Sequence, residues 1–339
     1  MSPAGAGSGP QAAARAAPHG VLDLPLMRLR LRFELERGGT LPAFTGSMWR
    51  GALGHALRRI ACRMGATDCH ACALRHECPH ALLFETPPPP GAARMRRYRT
   101  VPHPFVLAPE DDAEAPERGR RPAPPALEVG LVVVGRAARW VHLLVGALAL
   151  AARGGLGRDR VRYALAAVAQ EAVPGTGAWR PIGAPGALGP LPPAPPQPLE
   201  PPPRLRLRLR TPLRLVRDES LVGPARFRFG DLGRNLLRRI ASLHAFHGHG
   251  ALEADYAALA RTFDAVPLLG RRLRWREWER WSARQRTRMR IGGLVGEIET
   301  GGGALARVWP WVQLGALVHA GKATSMGLGR YELEVPEHG

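Results

Sequence analysis

Apolar and polar residues alternate strictly in two segments of the chain, and the two segments are much alike. In residues 26–36, apolar side chains at positions 29, 31, 33 and 35 alternate with arginine or glutamate. In residues 204–215, Leu205, Leu207 and Leu209 alternate with four arginines. Alternation with a period of two is typical of a strand with one buried and one exposed face. Each segment therefore predicts a strand whose exposed face is rich in arginine.

Each predicted strand leads into a similar helix. Residues 46–64 carry apolar side chains at helical spacing, which predicts an amphipathic helix; the stripe is Met48, Trp49, Ala52, Leu53, Ala56, Leu57 and Ile60. The sequence Arg-Arg-Ile-Ala occurs at 58–61 and again at 238–241, inside a second helical pattern. Because strand, helix and helix ending recur in the same order, we interpret the chain as an internal duplication.

The remaining patterns complete the same plan in each half. In the first half, the pattern predicts a strand at 131–134, a helix at 140–152 and a strand at 158–168. In the second half, it predicts strands at 271–281 and 288–298, a helix at 305–319 and a strand at 330–335. Strand–helix–strand–strand–helix–strand is the ferredoxin-like order. The predicted fold class is therefore α+β, with tandem ferredoxin-like βαββαβ domains related to RNA-recognition modules, whose open sheet face is free to meet RNA.

Composition along the chain predicts where the domains begin and end. The predicted units are a disordered tail at 1–20, an N-terminal domain at 21–173 with a cysteine insertion at 62–78 and a loop at 87–125, a proline-rich linker at 174–203, and a C-terminal domain at 204–339. The tail, loop and linker are predicted from their proline, glycine and charged residues.

The charge of the chain points to a polyanionic partner. The 339 residues include 48 Lys and Arg against 28 Asp and Glu, a formal net charge of +20. A bias toward GC-rich codons explains why arginine replaces lysine, but it does not explain the shortage of acids. Nucleic acid is the commonest partner for such a charge. The first 20 residues lack the apolar core of a signal peptide, and no run is long enough to span a bilayer, so we expect a cytoplasmic protein without membrane contact.

All four cysteines of the chain fall within seventeen residues, at Cys62, Cys69, Cys72 and Cys78. The spacing of Cys69 and Cys72 lets two thiolates reach one ion, and the flanking cysteines can complete a tetrahedral site. Their clustering favours structural zinc over free thiols, with an iron–sulfur cluster as the main alternative. Four thiolates leave no open position, so we expect no catalytic metal.

A glycine-rich segment at 321–330 lies between the last predicted helix and strand. Its three glycines, at 321, 327 and 329, allow close backbone approach, and exposed N–H groups there can bind phosphate. Lys322 in this segment is the only lysine of the chain. A compact ammonium at this one position suggests contact with a phosphate oxygen, although a tight turn with an incidental lysine remains the alternative.

Two groups of histidines are candidates for proton transfer. His55 lies off the apolar stripe of the first helix, beside Arg58 and Arg59, on a polar and basic face. An imidazole can take up a proton near neutral pH, although most lone surface histidines are inert. The second group, His244, His247 and His249, ends the equivalent helix of the second half. It can be catalytic, metal-binding or only a favourable helix end.

The segment from His319 to Tyr331 resembles the C-terminal glycine-rich loop of the repeat-associated (RAMP) superfamily, and most closely that of the CRISPR-associated endoribonucleases that process precursor guide RNA. Further similarity to this family lies at residues 237–240, 247–248 and 292–296 and in the cysteine segment ending at 83–85. The similarity covers both halves and is weakest over 87–125 and 174–203. It implies tandem ferredoxin-like domains and a role in antiviral defence.

The resemblance also implies the reaction and its residues. The family cuts within the CRISPR repeat without a metal: the 2′-hydroxyl of the RNA attacks the adjacent phosphate and leaves a cyclic phosphate. Such a reaction requires a base, an acid and cations for the phosphorane. By resemblance, His55 is the candidate base and Lys322 the candidate cation. The candidate RNA-binding residues are Arg50, Arg58, Arg59, Gly321, Thr324, Ser325, Gly327, Gly329 and Arg330.

Three hypotheses for the function remain at this stage. The first is the endoribonuclease, with precursor CRISPR RNA as its partner and His247 or His319 as alternative bases. The second is a non-catalytic RNA-binding subunit of the same fold, which associates with other CRISPR effector subunits. The third is a general basic protein that binds any nucleic acid, with a steep dependence on salt. The glycine-rich segment argues against the third, and activity separates the first two.

Overall fold

The computed structural model describes residues 20–66, 68–110, 119–183, 186–282 and 287–336, without the side chains of 280–282 and 288. The tail predicted for residues 1–20 therefore lies outside the described residues, except for Gly20.

The N-terminal half is built on an antiparallel sheet with two helices. Its elements are β1 (Leu26–Arg37), α1 (Gly46–Ala61), β2 (Phe105–Pro109), β3 (Ala126–Val134), α2 (Val141–Gly154), β4 (Arg162–Glu171) and the short β5 (Trp179–Pro181). The sheet order is β2-β3-β1-β4-β5. In register, Leu29 of β1 lies opposite Leu131 of β3, and Leu31 lies opposite Val168 of β4. The first four strands have the ferredoxin-like order, with β5 added at one edge.

The C-terminal half repeats this arrangement. Its elements are β6 (Arg204–Leu213), α3 (Phe229–His247), α4 (Tyr256–Asp264), β7 (Leu268–Ser282), β8 (Thr287–Gly301), α5 (Gly303–Val318) and β9 (Tyr331–Glu334). The sheet order is β7-β8-β6-β9, which is the same ferredoxin-like order. The tandem fold predicted from the duplicated pattern is thus confirmed. Helix α4 is an addition that the pattern did not predict.

The alternating pattern of β1 and β6 behaves as expected. Leu29, Leu31 and Phe33 are buried in a core formed with α1 and α2, while Arg30 and Arg32 face outward. A shift of one residue in the register of β1 would expose its whole apolar row. Each of these side chains contributes about 1.5–3 kcal/mol to the free energy of folding when it is buried, so the register is strongly fixed.

The two domains share part of a core. Leu26, Val106, Val132 and Val134 of the N-terminal sheet belong to the apolar cluster of the C-terminal domain. Polar contacts reinforce this junction, since the Arg136 guanidinium donates to the Gly248 carbonyl oxygen at 3.1 Å. The domains therefore have a continuous interface rather than a flexible connection.

Two segments predicted as irregular are partly regular, and those predictions are wrong in that respect. The loop predicted for 87–125 contains β2, whose residues Phe105, Val106 and Leu107 are fully buried. The linker predicted for 174–203 contains β5, and Ala194 forms a backbone bridge with Leu26. In both segments a short run of residues finds a strand partner far away in the chain, which outweighs the high local proline content.

Two small two-stranded sheets and a turn of helix lie outside the main sheets. Thr40–Pro42 pairs with Arg120–Pro122, and Val216–Arg217 pairs with Ser220–Leu221. The helical segment Ala81–Glu85 follows the cysteine insertion. Among the described residues, no helix is long and apolar enough to cross a membrane.

Candidate functional site

The glycine-rich loop, residues 319–330, connects α5 to β9 and packs against the start of α1 in the other domain. A Cβ atom on Gly46, the first residue of α1, would lie 2.0 Å from the Met326 carbonyl oxygen. A Cβ on Gly327 would lie 2.9 Å from the carbonyl oxygen of Leu107 in β2. Since these distances leave no room for a side chain, glycine permits the close approach. The loop therefore bridges the two domains.

Arg50 connects α1 to the loop. Its Nε donates to the Ser325 Oγ at 3.0 Å, and its Nη2 donates to His103 Nε2 at 3.1 Å. Its guanidinium carbon lies 4.4 Å from the centre of the Phe84 ring. The guanidinium is planar, with hydrogen-bond acceptors at its edge and an aromatic ring against its face. These contacts hold it in one orientation. The positive charge of Arg50 thus has a fixed place at the junction of the domains.

His103 is neutral in this arrangement. An arginine can only donate, so His103 Nε2 accepts from Arg50, and His103 Nδ1 then carries the proton and donates to the Thr86 Oγ1 at 2.9 Å. The Thr86 hydroxyl in turn donates to the Val101 carbonyl oxygen at 3.0 Å. Burial, with added repulsion from Arg50, lowers the pKa of His103 to about 3. His103 therefore serves as a fixed acceptor for Arg50.

His55 and Lys322, the two predicted catalytic residues, are both exposed. His55 follows Arg50 by five residues on α1, which places it about 7.5 Å further along the helix axis and about 140° away around it. Lys322 lies on the glycine-rich loop, and its backbone N–H donates to the Arg214 carbonyl oxygen at 3.0 Å. The hydrogen bond between α1 and the loop joins Arg50 to Ser325. The side chains of His55 and Lys322 lie at the surface, where RNA can reach them.

The other predicted arginines occupy different settings. The Arg58 guanidinium donates to the Ala66 carbonyl oxygen in the cysteine insertion. Arg59 is exposed, whereas Arg330 is half-buried and forms an ion pair with Glu332 at 3.1 Å. Arg58 thus has a local structural partner, and Arg59 is the more accessible of the two for RNA.

The glycines of the loop do not present their N–H groups to a phosphate, which corrects the expectation from the sequence. The N–H of Gly321 donates to Asn235 Oδ1 at 2.6 Å, that of Gly327 to the Thr324 carbonyl oxygen at 2.9 Å, and that of Gly329 to the Pro212 carbonyl oxygen at 3.1 Å. These three residues have φ angles of 83°, 92° and 71°. They are glycines because the loop turns through left-handed backbone and docks closely.

Of the alternative bases, His319 is buried and His247 is partly buried, and both are bound to backbone. His247 Nε2 donates to the Pro102 carbonyl oxygen at 2.6 Å, and His319 Nδ1 donates to the Leu328 carbonyl oxygen at 3.2 Å. Burial lowers the pKa of His247 to about 4 and that of His319 to about 3. Both histidines therefore hold the junction together in their neutral form, and neither is placed to meet a substrate.

The arginine-rich sheet faces are largely matched by acids on neighbouring strands. In the C-terminal sheet, Arg206 lies 2.9 Å from Glu299, and Arg208 lies 3.6 Å from Glu334. In the N-terminal sheet, Arg28 pairs with the buried Glu171. Exposed pairs of this kind contribute little stability, but they reduce the positive field of the sheet. The glycine-rich junction and the exposed face of α1 are therefore the better candidates for contact with RNA.

The four cysteines form no disulfide, and all of them line one cavity at the end of α1. Among the described residues, no three His, Cys, Asp or Glu side chains are grouped closely enough to hold a metal ion.

Comparison with known families and structures agrees with this fold. The model AF_1859_N, an N-terminal domain, matches residues 24–193, and the model of the CRISPR-associated endoribonuclease Cas6 matches residues 207–331. A product complex of Cas6 from Thermus thermophilus is similar over 91% of this chain and 99% of that chain, with 17% identity and a TM-score of 0.55. A partial Cas6-RT-Cas1–Cas2 complex matches over 92% of this chain and 46% of that chain, with 12% identity and a TM-score of 0.52. No curated protein sequence matches the chain.

Tandem ferredoxin-like domains joined through a glycine-rich loop define an RNA-processing protein of the RAMP class. The two family matches lie one in each domain and together cover most of the chain. Residues 207–331 belong to the family of the CRISPR-associated endoribonuclease Cas6, and the chain is a Cas6-like processing endoribonuclease of the RAMP fold. It is an endoribonuclease that binds CRISPR repeat RNA and processes precursor guide RNA, as the first hypothesis from the sequence predicted.

Reasoning from the sequence missed the residues that hold Arg50. His103 stands between two prolines, Pro102 and Pro104, in a segment predicted as loop, and nothing in its surroundings signals a role. Phe84 was noticed only as part of the resemblance at 83–85. The short continuous apolar run of β2, Phe105-Val106-Leu107, is the local signal that indicates a strand beside His103.

Proposed function

We propose that this enzyme cuts precursor guide RNA without a metal ion, on the surface formed by α1 and the glycine-rich loop. His55 takes the proton of the 2′-hydroxyl, and the 2′-oxygen attacks the adjacent phosphorus. The bond from phosphorus to the 5′-oxygen breaks, and that oxygen receives a proton. The products are a 2′,3′-cyclic phosphate and a 5′-hydroxyl.

The observation that carries this proposal is the exposed His55 on α1, whose first residue docks against the glycine-rich loop that bears the exposed Lys322. Arg50 is fixed on the same helix and projects about 140° away from His55 around the helix axis. Negative charge develops on the phosphorane oxygens, and a cation that is already oriented stabilises it without reorganising. Arg50 is oriented by Ser325, His103 and Phe84. Lys322, exposed on the docked loop, is the second cation available to the phosphate.

The decisive experiment compares three cleavage reactions on the host's repeat RNA, all in EDTA. Wild type should cut intact RNA at one position. It should bind but not cut RNA that carries a single 2′-deoxy nucleotide on the 5′ side of that position. His55→Ala should bind with unchanged affinity and lose cutting, whereas His142→Ala, which alters another exposed helical histidine, should cut like wild type.

Each component of the proposal can fail separately. Cutting of the deoxy substrate would refute attack by the 2′-hydroxyl. Full activity of His55→Ala would refute His55 as the base. Loss of wild-type cutting in EDTA, with the zinc content of the protein unchanged, would refute the metal-independent reaction.

We further propose that the enzyme works in the cytoplasm and associates with other CRISPR proteins. Its likeness to a Cas6 chain in a Cas6-RT-Cas1–Cas2 complex supports such association. Co-purification of the tagged protein with the host's other CRISPR proteins, in extracts treated with ribonuclease, tests it. Recovery of the enzyme alone would refute a direct protein contact.

A further inference from the structure

The four cysteines, which are separated in sequence, surround one space in the structure. A cavity of about 440 Å³ lies between the end of α1, the cysteine insertion and α2, and Cys62, Cys69, Cys72 and Cys78 all line it. Trp140 and other apolar side chains close the remaining wall. The fold thus brings the outer cysteines, Cys62 and Cys78, to the same cavity as the inner pair, Cys69 and Cys72. The spacing of the outer cysteines in the sequence does not by itself require this.

Local hydrogen bonds fix the backbone that carries the thiols. The Cys72 N–H donates to the Cys69 carbonyl oxygen at 3.4 Å, which closes a turn between these two residues. Cys62 ends α1, where its N–H donates to the Arg58 carbonyl oxygen at 2.9 Å. Cys78 Sγ lies 3.9 Å from the Ala61 carbonyl oxygen at the same helix end. The outer cysteines are therefore adjacent to each other beside the turn of the inner pair.

The insertion has almost no apolar core of its own. Among the described residues of 62–79, none is buried. A segment of this size without a core needs another source of stability, and in small modules a bound metal commonly supplies it. In a reducing compartment, disulfides are not available for this purpose.

The charges around the cavity suit an anionic metal–thiolate group. Arg63 and Arg75 line the cavity, and Arg58 of α1 is held against the insertion by its hydrogen bond to the Ala66 carbonyl oxygen. Glu77 is the acid in the cavity lining. Binding of one Zn²⁺ to four thiols releases four protons and leaves a site of charge −2, which three neighbouring arginines can balance.

We propose that Cys62, Cys69, Cys72 and Cys78 bind one structural Zn²⁺ through four thiolates. Among the described residues, the four sulfurs do not form a group close enough to hold an ion, so the proposal requires the four side chains to converge when the metal binds. Zinc–sulfur bonds are about 2.3 Å long, and four of them fill the tetrahedral shell, so the site is closed to substrate. The assignment stands independently of the proposed cleavage mechanism.

The position of this site gives the metal a role for the rest of the enzyme. The insertion continues directly into Ala81–Glu85, and Phe84 of that segment lies under Arg50. The Phe84 ring also fills the space beside Gly54, where a Cβ would lie 2.4 Å from the ring. A metal that fixes the insertion therefore also fixes Phe84, and Phe84 in turn orients Arg50.

The test uses the full chain, purified without chelator. Elemental analysis should find about one zinc per chain. Titration of wild type with p-hydroxymercuribenzoate should release that zinc in step with the reaction of the four thiols. The indicator 4-(2-pyridylazo)resorcinol measures the released zinc. Cys69→Ser/Cys72→Ser should lose the metal and unfold at a lower temperature. His76→Ala, which removes a nearby histidine outside the cavity, should keep both the zinc and the wild-type unfolding temperature.

Several results would overturn the proposal. Wild-type protein with no bound zinc and four freely reacting thiols would show that these are ordinary cysteines. Iron and sulfide in equal amounts, with visible absorbance, would assign the thiols to an iron–sulfur cluster instead. Because the mercurial titration needs only wild type, the proposal remains testable even if the double variant does not fold.

Discussion

The contact between Gly46 and the glycine-rich loop makes a sharp prediction about how the two domains meet. In Gly46→Ala, the new Cβ would lie 2.0 Å from the Met326 carbonyl oxygen and 2.8 Å from the Phe44 ring. Carbon–oxygen contacts between non-bonded atoms in close-packed interiors exceed about 3 Å, so the loop must move away from α1 by about 1 Å. Overpacking of this kind costs about 1–3 kcal/mol. We therefore expect the free energy of unfolding to fall by that amount.

The same displacement should impair cleavage. Arg50 Nε lies 3.0 Å from the Ser325 Oγ, and a further ångström ends that hydrogen bond. A displacement of about 1 Å at a catalytic site can lower the rate on the order of 100-fold. The measurements are urea unfolding and single-turnover cleavage of repeat RNA by Gly46→Ala.

The matched control is Gly146→Ala, in the exposed face of α2. A Cβ at Gly146 meets nothing within 4 Å, so alanine there should stabilise the protein by about 0.5–1 kcal/mol and leave cleavage unchanged. If Gly46→Ala is as stable and active as Gly146→Ala, the loop does not dock on α1 as described. If Gly46→Ala is less stable but cuts at the normal rate, docking of the loop does not position the catalytic groups.

Three further predictions concern the cations and the buried histidines. Arg50→Lys keeps the charge but loses the planar set of donors, so urea unfolding should show a loss of about 1–3 kcal/mol, and single-turnover cleavage should slow while RNA binding persists. Lys322→Ala should leave unfolding unchanged, since the side chain is exposed, and should slow single-turnover cleavage on the order of 100-fold if the ammonium meets the phosphorane. In the folded protein the pKa values are about 3 for His103, about 4 for His247 and about 3 for His319. Below the unfolded value of about 6.5, these histidines take up protons in the unfolded chain but not in the folded protein. The free energy of unfolding should therefore fall by at most about 1.4 kcal/mol per pH unit for each histidine, down to about pH 4. Urea midpoints measured from pH 7.5 to pH 4.5 should decline steadily below pH 6.5, and a flat profile would contradict the buried, neutral state of these histidines.

The fold could be predicted from the sequence wherever the pattern is local. The alternation of β1 and β6 and the repeated Arg-Arg-Ile-Ala predicted two similar domains, because a strand with one buried face must alternate whatever its partners are. The strands β2 and β5 were missed, since both are short, lie among prolines and are stabilised by partners distant in sequence. Whether such segments form strands depends on pairing with distant strands more than on local propensity.

The candidate site could be predicted only in part, for a related reason. The glycine-rich segment and the exposed His55 and Lys322 could be recognised from residue types and resemblance. The bond between Arg50 and Ser325 joins residues 275 positions apart, and no local signal connects them. His103 is similar, because its importance comes entirely from the side chain that it meets after folding.

The glycine-rich loop illustrates how a motif can mark a function without performing it. Its glycines were expected to bind phosphate, yet their N–H groups bond within the protein, and Gly327 instead allows the loop to lie against β2. The C-terminal domain thereby places Ser325 against Arg50, which belongs to the N-terminal domain. Arg50 is held by groups from both domains, and Leu26 and Val134 of the N-terminal sheet complete the core of the other domain. We therefore expect cleavage to require both halves. The motif identifies the enzyme because it forms the joint on which the geometry of the site depends.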